Sequence, residues 1–176
     1  MPVLLKRLAL AFAVALPFAL TPTAATAQAR TDTETIRSWD EAVKTAGGEE
    51  VRRVEIAFDY AQGVTLRRTY DASGALLFTE EMSRQPRPSD AELAESAAII
   101  AADTELAPLL SASGATIEGG FLYHVDDFEK PLEACGPGTR CLQFDLVAPN
   151  HVESVRFVVV DLATRRVVEH NLFPGL

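Results

Sequence analysis

Residues 31–60 read TDTETIRSWDEAVKTAGGEEVRRVEIAFDY, and a change of period inside this stretch decides the fold class. In its first half Ile36, Trp39 and Val43 recur at spacings of three and four, with Ala42 and Ala46 alongside. That spacing lays one apolar stripe along a helix, which Gly47 and Gly48 would end. In the second half Val54, Ile56, Phe58 and Tyr60 alternate with Arg53, Glu55, Ala57 and Asp59. Alternation marks a strand with one buried face. The expectation is an N-terminal helix that runs directly into a sheet.

Working outward, AQG turns the chain into VTLRRTY, and DASG turns it again into ALLFTEEM, which predicts a meander of three strands. Pro86 and Pro88 then break the sheet, and Ser89 with Glu92 forms a capping-box pattern. The helix that follows would face inward with Leu93, Ala97 and Ile100. Pro108 predicts a second short helix over 104–110, and SASGATIEGG (111–120) reads as a loop. Strands return in FLYHV, in RCLQFDLV with Leu142, Phe144 and Leu146 in phase, and in a hairpin turning at 161–165. Val155–Val160 is apolar on both faces except at Arg156, which predicts a central strand. TYDASGALL and VVDLATRRVV share one turn chemistry, an Asp and small residues between strands. The fold class is therefore α+β, with antiparallel strands curled around one main helix and an additional N-terminal helix.

The first 29 residues have the layout of a secretory signal peptide. Lys6 and Arg7 precede a 13-residue apolar run, Leu8–Leu20, and Ala-x-Ala patterns end at Ala27 and Ala29. The run is shorter than the roughly 20 residues a membrane-spanning helix needs. The reading is a periplasmic or secreted protein without a stable membrane anchor, with residues 30–176 forming a single α+β domain. Removing 29 of 176 residues leaves 147 and takes away two basic side chains, so the net charge of −9 becomes −11. A chain so acidic repels phosphate backbones, which argues against nucleic acid as a partner.

An oxidising compartment also explains the two cysteines. Cys135 and Cys141 flank GPGTR, a turn sequence, and are expected to pair as a disulfide. Thioredoxin-type motifs separate their cysteines by two residues, and a zinc site would need further ligands nearby. Closing so short a loop contributes roughly 2 kcal/mol in the chain-entropy model.

The capped, Ala-rich helix and the closing run Val160-Asp161-Leu162-Ala163-Thr164 resemble the PepSY-like domains of bacterial exported proteins. The resemblance covers residues 86–172, and Arg165 stands where that family usually has glycine. The expected shape is also similar to cystatin-like folds. The resemblance implies a small non-catalytic domain that modulates a partner, and it carries over no catalytic residue.

No Gly-rich phosphate loop, G-x-S-x-G, S-x-x-K or H-E-x-x-H occurs, so no catalytic residue and no cofactor are assigned. His124 near Asp126, Asp127 and Glu129 offers a weak divalent-cation site, against the reading of a solvated acidic strand end. His151 and His170 read as surface residues; Arg140, Arg156, Arg165 and Arg166, like Arg52, Arg53, Arg67 and Arg68, read as rim charges, with an anion site of Arg67, Arg156 and Arg166 on one sheet face as the alternative. Trp39 either anchors its helix or faces a partner. The functional expectation is an exported non-enzymatic accessory domain that binds an envelope protein or a small ligand. The alternatives are a small enzyme with a site on the concave sheet face and a weak cation binder.

Overall fold

A computed structural model describes residues 29–124, 131–149 and 154–173. The signal-peptide segment falls outside the described residues except for Ala29, and so do Asp126, Asp127, Glu129 and His151. The architecture is α+β, with two helices and two antiparallel sheets of four strands each.

The first sheet is a meander of β1 (Thr33–Thr45), β2 (Gly48–Asp59), β3 (Val64–Tyr70) and β4 (Leu76–Met82). The expected N-terminal helix does not exist; Thr33–Thr45 is a 13-residue strand. Two physical reasons explain the correction. Trp39 and Val43 are four apart, a spacing shared by one helix face and one strand face. The segment is also rich in Thr, Ile, Trp and Val, whose branched or aromatic side chains favour the pleated surface. The glycines that would have ended a helix instead close a hairpin in which Thr45 pairs with Gly48, leaving Ala46 and Gly47 as its two-residue loop.

The helical layer is α1 (Asp90–Ala102) followed by α2 (Leu106–Ser113). The capping box forms as expected: the Ser89 hydroxyl accepts from the Glu92 amide, and the Ser89 amide donates to the Glu92 carboxylate. The buried stripe of α1 is Glu92, Ser96 and Ile100, while Leu93 is only partly covered. Ile100 is buried as expected, whereas Glu92 and Ser96 take the places expected for Leu93 and Ala97, and Glu92 has a buried charged partner in Arg140.

The second sheet is again a meander, of β5 (Thr116–Leu122), β6 (Cys141–Val147), β7 (Ser154–Asp161) and β8 (Arg166–Glu169). The expected loop 111–120 is shorter than predicted, since Thr116–Gly120 already belongs to β5. β7 is an interior strand, as its apolar run requires, and Val158, Val159 and Val160 are all fully buried. The main core joins Leu142, Phe144, Leu146, Val158 and Val160 of this sheet to Ile100, Leu106 and the inner end of the first sheet at Phe58 and Tyr60. Val159 belongs to a second cluster with Tyr123, Cys135 and Cys141. The second sheet is thus covered on both faces, and the strands form two sheets rather than one curled around a helix.

Candidate functional site

The stapled turn organises the junction between the sheets. Cys135 and Cys141 are bonded, with Cα atoms 5.8 Å apart, and both sulfur-bearing residues are buried. A single 3-10 turn, Glu133–Cys135, leads into the loop, and the Thr139 hydroxyl and amide both donate to the Gly136 carbonyl. The loop presents Gly138 directly to Gly63 in the turn between β2 and β3. A Cβ on Gly63 would lie 2.3 Å from the Gly138 carbonyl oxygen, and Gly63 itself has φ +68°. Only glycine satisfies both the close approach and the left-handed backbone.

Behind this contact lies a fully buried ion pair. Arg140 donates from Nε to Glu92 Oε1 at 2.6 Å and from Nη2 to Oε2 at 2.7 Å. The Tyr60 hydroxyl donates to the same Oε1 at 2.7 Å. The remaining Arg140 nitrogen, Nη1, donates to Gln85 Oε1 and the Pro86 carbonyl. Burial alone would raise the Glu92 carboxyl, but the hydrogen bonds and charge of Arg140 outweigh it and hold the group below its ordinary value. Burial pushes the Tyr60 hydroxyl up, which keeps it protonated as a donor. This knot ties β2, α1 and the stapled loop together. Sequence reasoning placed Arg140 among rim charges. The signal against that was present: Arg140 is in phase with Leu142, Phe144 and Leu146, so it points where they point.

Next to the turn is a cleft of about 630 Å³ between the two sheets, bounded by Ser83, Arg84, Gln85, Tyr123, His124 and Thr139. Gln85 is fixed in its wall by donating to the Thr139 carbonyl at 2.7 Å and accepting from Arg140. Arg84 and His124 stand exposed at its rim.

The second surface of interest is the outer part of the first sheet. Trp39, Val54, Thr69 and Phe78 are successive cross-strand neighbours and so share one face. Val54 and Thr69 are buried in the middle, while Trp39 at 39% and Phe78 at 43% remain exposed at the two edges. Arg67 lies beside this row and reaches Glu41 on β1 at 3.6 Å and Glu80 on β4 at 3.3 Å. Leu76, Leu77 and Val51 add further exposed apolar surface nearby in sequence. Each edge strand carries a register irregularity with an extra residue: Ile36 in β1, Leu77 in β4, Gly120 in β5 and Val168 in β8. Bulges of this kind discourage edge-to-edge pairing, so faces rather than edges are what the molecule offers.

The other residues singled out from sequence do not converge. Arg67 sits in the first sheet, whereas Arg156 and Arg166 belong to the second, and Arg156 pairs with Glu105 at 2.6 Å. They do not form an anion site on one face. His170 contacts both carboxylate oxygens of Asp103 at 3.2 Å, and that carboxylate also accepts from the Glu105 and Leu106 amides at the start of α2. Burial would raise the Asp103 carboxyl, but those amide bonds and His170 hold it below its ordinary value. Among the described residues no three metal-ligating side chains come together, and no helix is long and apolar enough to cross a membrane.

No protein-family model matches this chain, and no curated protein matches it either.

Proposed function

We propose that this chain is an exported, non-enzymatic binding domain that offers the exposed margins of one face of its first sheet to a protein of the cell envelope. The observation that carries this reading is the transverse row Trp39–Val54–Thr69–Phe78, apolar at both exposed ends. Aromatic residues left half-exposed on a rigid sheet are the residue type that contributes most to protein interfaces. Export, to the periplasm or beyond, is supported by the leader-like first 29 residues and by a disulfide, which persists in oxidising compartments.

A PepSY-like or cystatin-like relationship is part of the same proposal. Its support is the capped helix followed by strands and the closing Asp161 turn, where Arg165 has φ +54°. The family's glycine at that position would suit the same left-handed backbone.

A photo-crosslinking residue placed at Phe78 in living cells tests the reading, with the same residue at exposed Ala94 on α1 as control. A discrete adduct from position 78 alone is expected, and Trp39→Ser should abolish it. Equal labelling from both positions, or none from 78, would reject the proposed face.

A further inference from the structure

We infer that the cleft beside the stapled turn is a binding site for a small anionic molecule carrying carboxylate or phosphate groups, held by Arg84 and His124. The inference does not depend on the partner-binding role of the first sheet.

The first reason is charge. The chain has 25 acidic residues against 16 lysines and arginines, and its surface depressions show it. One is bounded by Asp32 and Glu95, another by Glu95 and Asp103, and two more by Asp71. The stapled cleft has no carboxylate among its described lining residues. A depression whose described lining residues carry no carboxylate, on an acidic protein, is suited to a negative group.

The second reason is the state of its cations. Among the described residues seven arginines form ion pairs with carboxylates: Arg30, Arg52, Arg67, Arg68, Arg140, Arg156 and Arg165. Among the described residues Arg84 and His124 make no hydrogen bond or ion pair, yet both border one cavity. They approach from different elements, Arg84 from the segment after β4 and His124 from the end of β5. An anion between them would bridge the two sheets. Arginine suits the task because its planar fork of donors matches carboxylate and phosphate oxygens.

The third reason is the rigidity of the floor. Gln85 is clamped by Thr139 and Arg140, the loop is closed by the disulfide, and Gly138 rests on Gly63. A cavity of about 630 Å³ with a fixed floor, one free arginine and one free histidine at its edge falls within the size range of small-molecule sites. Ser83 supplies a further hydroxyl at the same rim.

Calorimetric titration of the processed protein at low ionic strength tests the assignment, with inorganic phosphate and citrate as separate probes. Saturable binding of at least one probe is expected, and the stronger of the two identifies the preferred group. Arg84→Gln and His124→Gln should each weaken it by about tenfold, the loss expected of one charge-assisted hydrogen bond. Neither variant should move the melting temperature, because neither side chain is engaged in the fold. Arg166→Gln removes a positive charge away from the cleft and should leave binding unchanged. Absence of saturable binding to both probes would overturn the inference, as would binding that survives Arg84→Gln or weakens equally with Arg166→Gln.

Discussion

The two sheets have the same connectivity, four strands in sequential antiparallel order, and opposite relationships to water. Six of the seven residues of β4 are exposed, whereas none of the seven in β6 is. In both meanders the turn from third to fourth strand is held by an aspartate. Asp71 accepts from the Ser73 and Ala75 amides, and Asp161 accepts from the Ala163 amide and the Thr164 hydroxyl. Local turn chemistry and strand order are therefore equivalent, and they do not decide which sheet is buried. The difference arises because α1, α2 and the stapled loop all lie against the second sheet, whereas the first contributes chiefly its inner end, at Phe58 and Tyr60, to the common core. One sheet is a scaffold, and the other is carried by it with much of its surface in water.

The comparison breaks first at the buried ion pair. Glu92→Ala leaves Arg140 charged, buried and unpaired, and should cost about 3–5 kcal/mol in denaturant unfolding. Replacing both residues by apolar ones should cost less than removing Glu92 alone, since no orphaned charge remains.

Gly63→Ala attacks the contact between the sheets rather than either core. The new methyl meets the Gly138 backbone, and an alanine at φ +68° is strained, so a loss of about 2–4 kcal/mol is expected. Hydrogen exchange should then show β2 and β3 opening more readily while β6 and β7 keep their protection. Equal loss of protection in both sheets would mean they unfold as one unit.

Acid should weaken the scaffold through Glu92 and Asp103. Both carboxyls are held below their ordinary values of 4.5 and 3.8 in the folded state. The unfolded chain therefore takes up protons first as pH falls. The stabilisation is fully present well above those values, begins to fade near them, and is lost as pH drops through the lower folded ones. Melting temperature should decline below about pH 4.5, and Glu92→Gln should flatten that decline.

The smallest effect belongs to the exposed sheet. Phe78→Ser removes a large side chain that is 43% exposed, and should change stability by no more than about 0.5–1 kcal/mol. A large loss would show that the outer row is a structural core in its own right.

Much of the second half was legible residue by residue. Ser89 and Glu92 announced the capped helix, the apolar run before Asp161, interrupted only at Arg156, announced an interior strand, and GPGTR between two cysteines announced the staple. These signals are local, and each depends on a few neighbouring side chains. In the first half β1 is not legible in the sequence, because a spacing of four fits a helix and a strand equally and only the hairpin partner β2 resolves the ambiguity. The cleft is not legible in the sequence, because Arg84 and His124 are 40 positions apart and border one cavity only in the folded chain.

By itself the chain's pattern of periods, prolines, glycines and cysteines specified an α+β protein with antiparallel strands, a capped helix and a disulfide-closed turn. Such features follow from backbone sterics and from which face of an element repels water. Tertiary structure alone decided that there are two sheets, that Arg140 is buried against Glu92, and that Arg84 and His124 border one cavity. Those outcomes depend on contacts between distant segments, whose energies no local window of sequence contains.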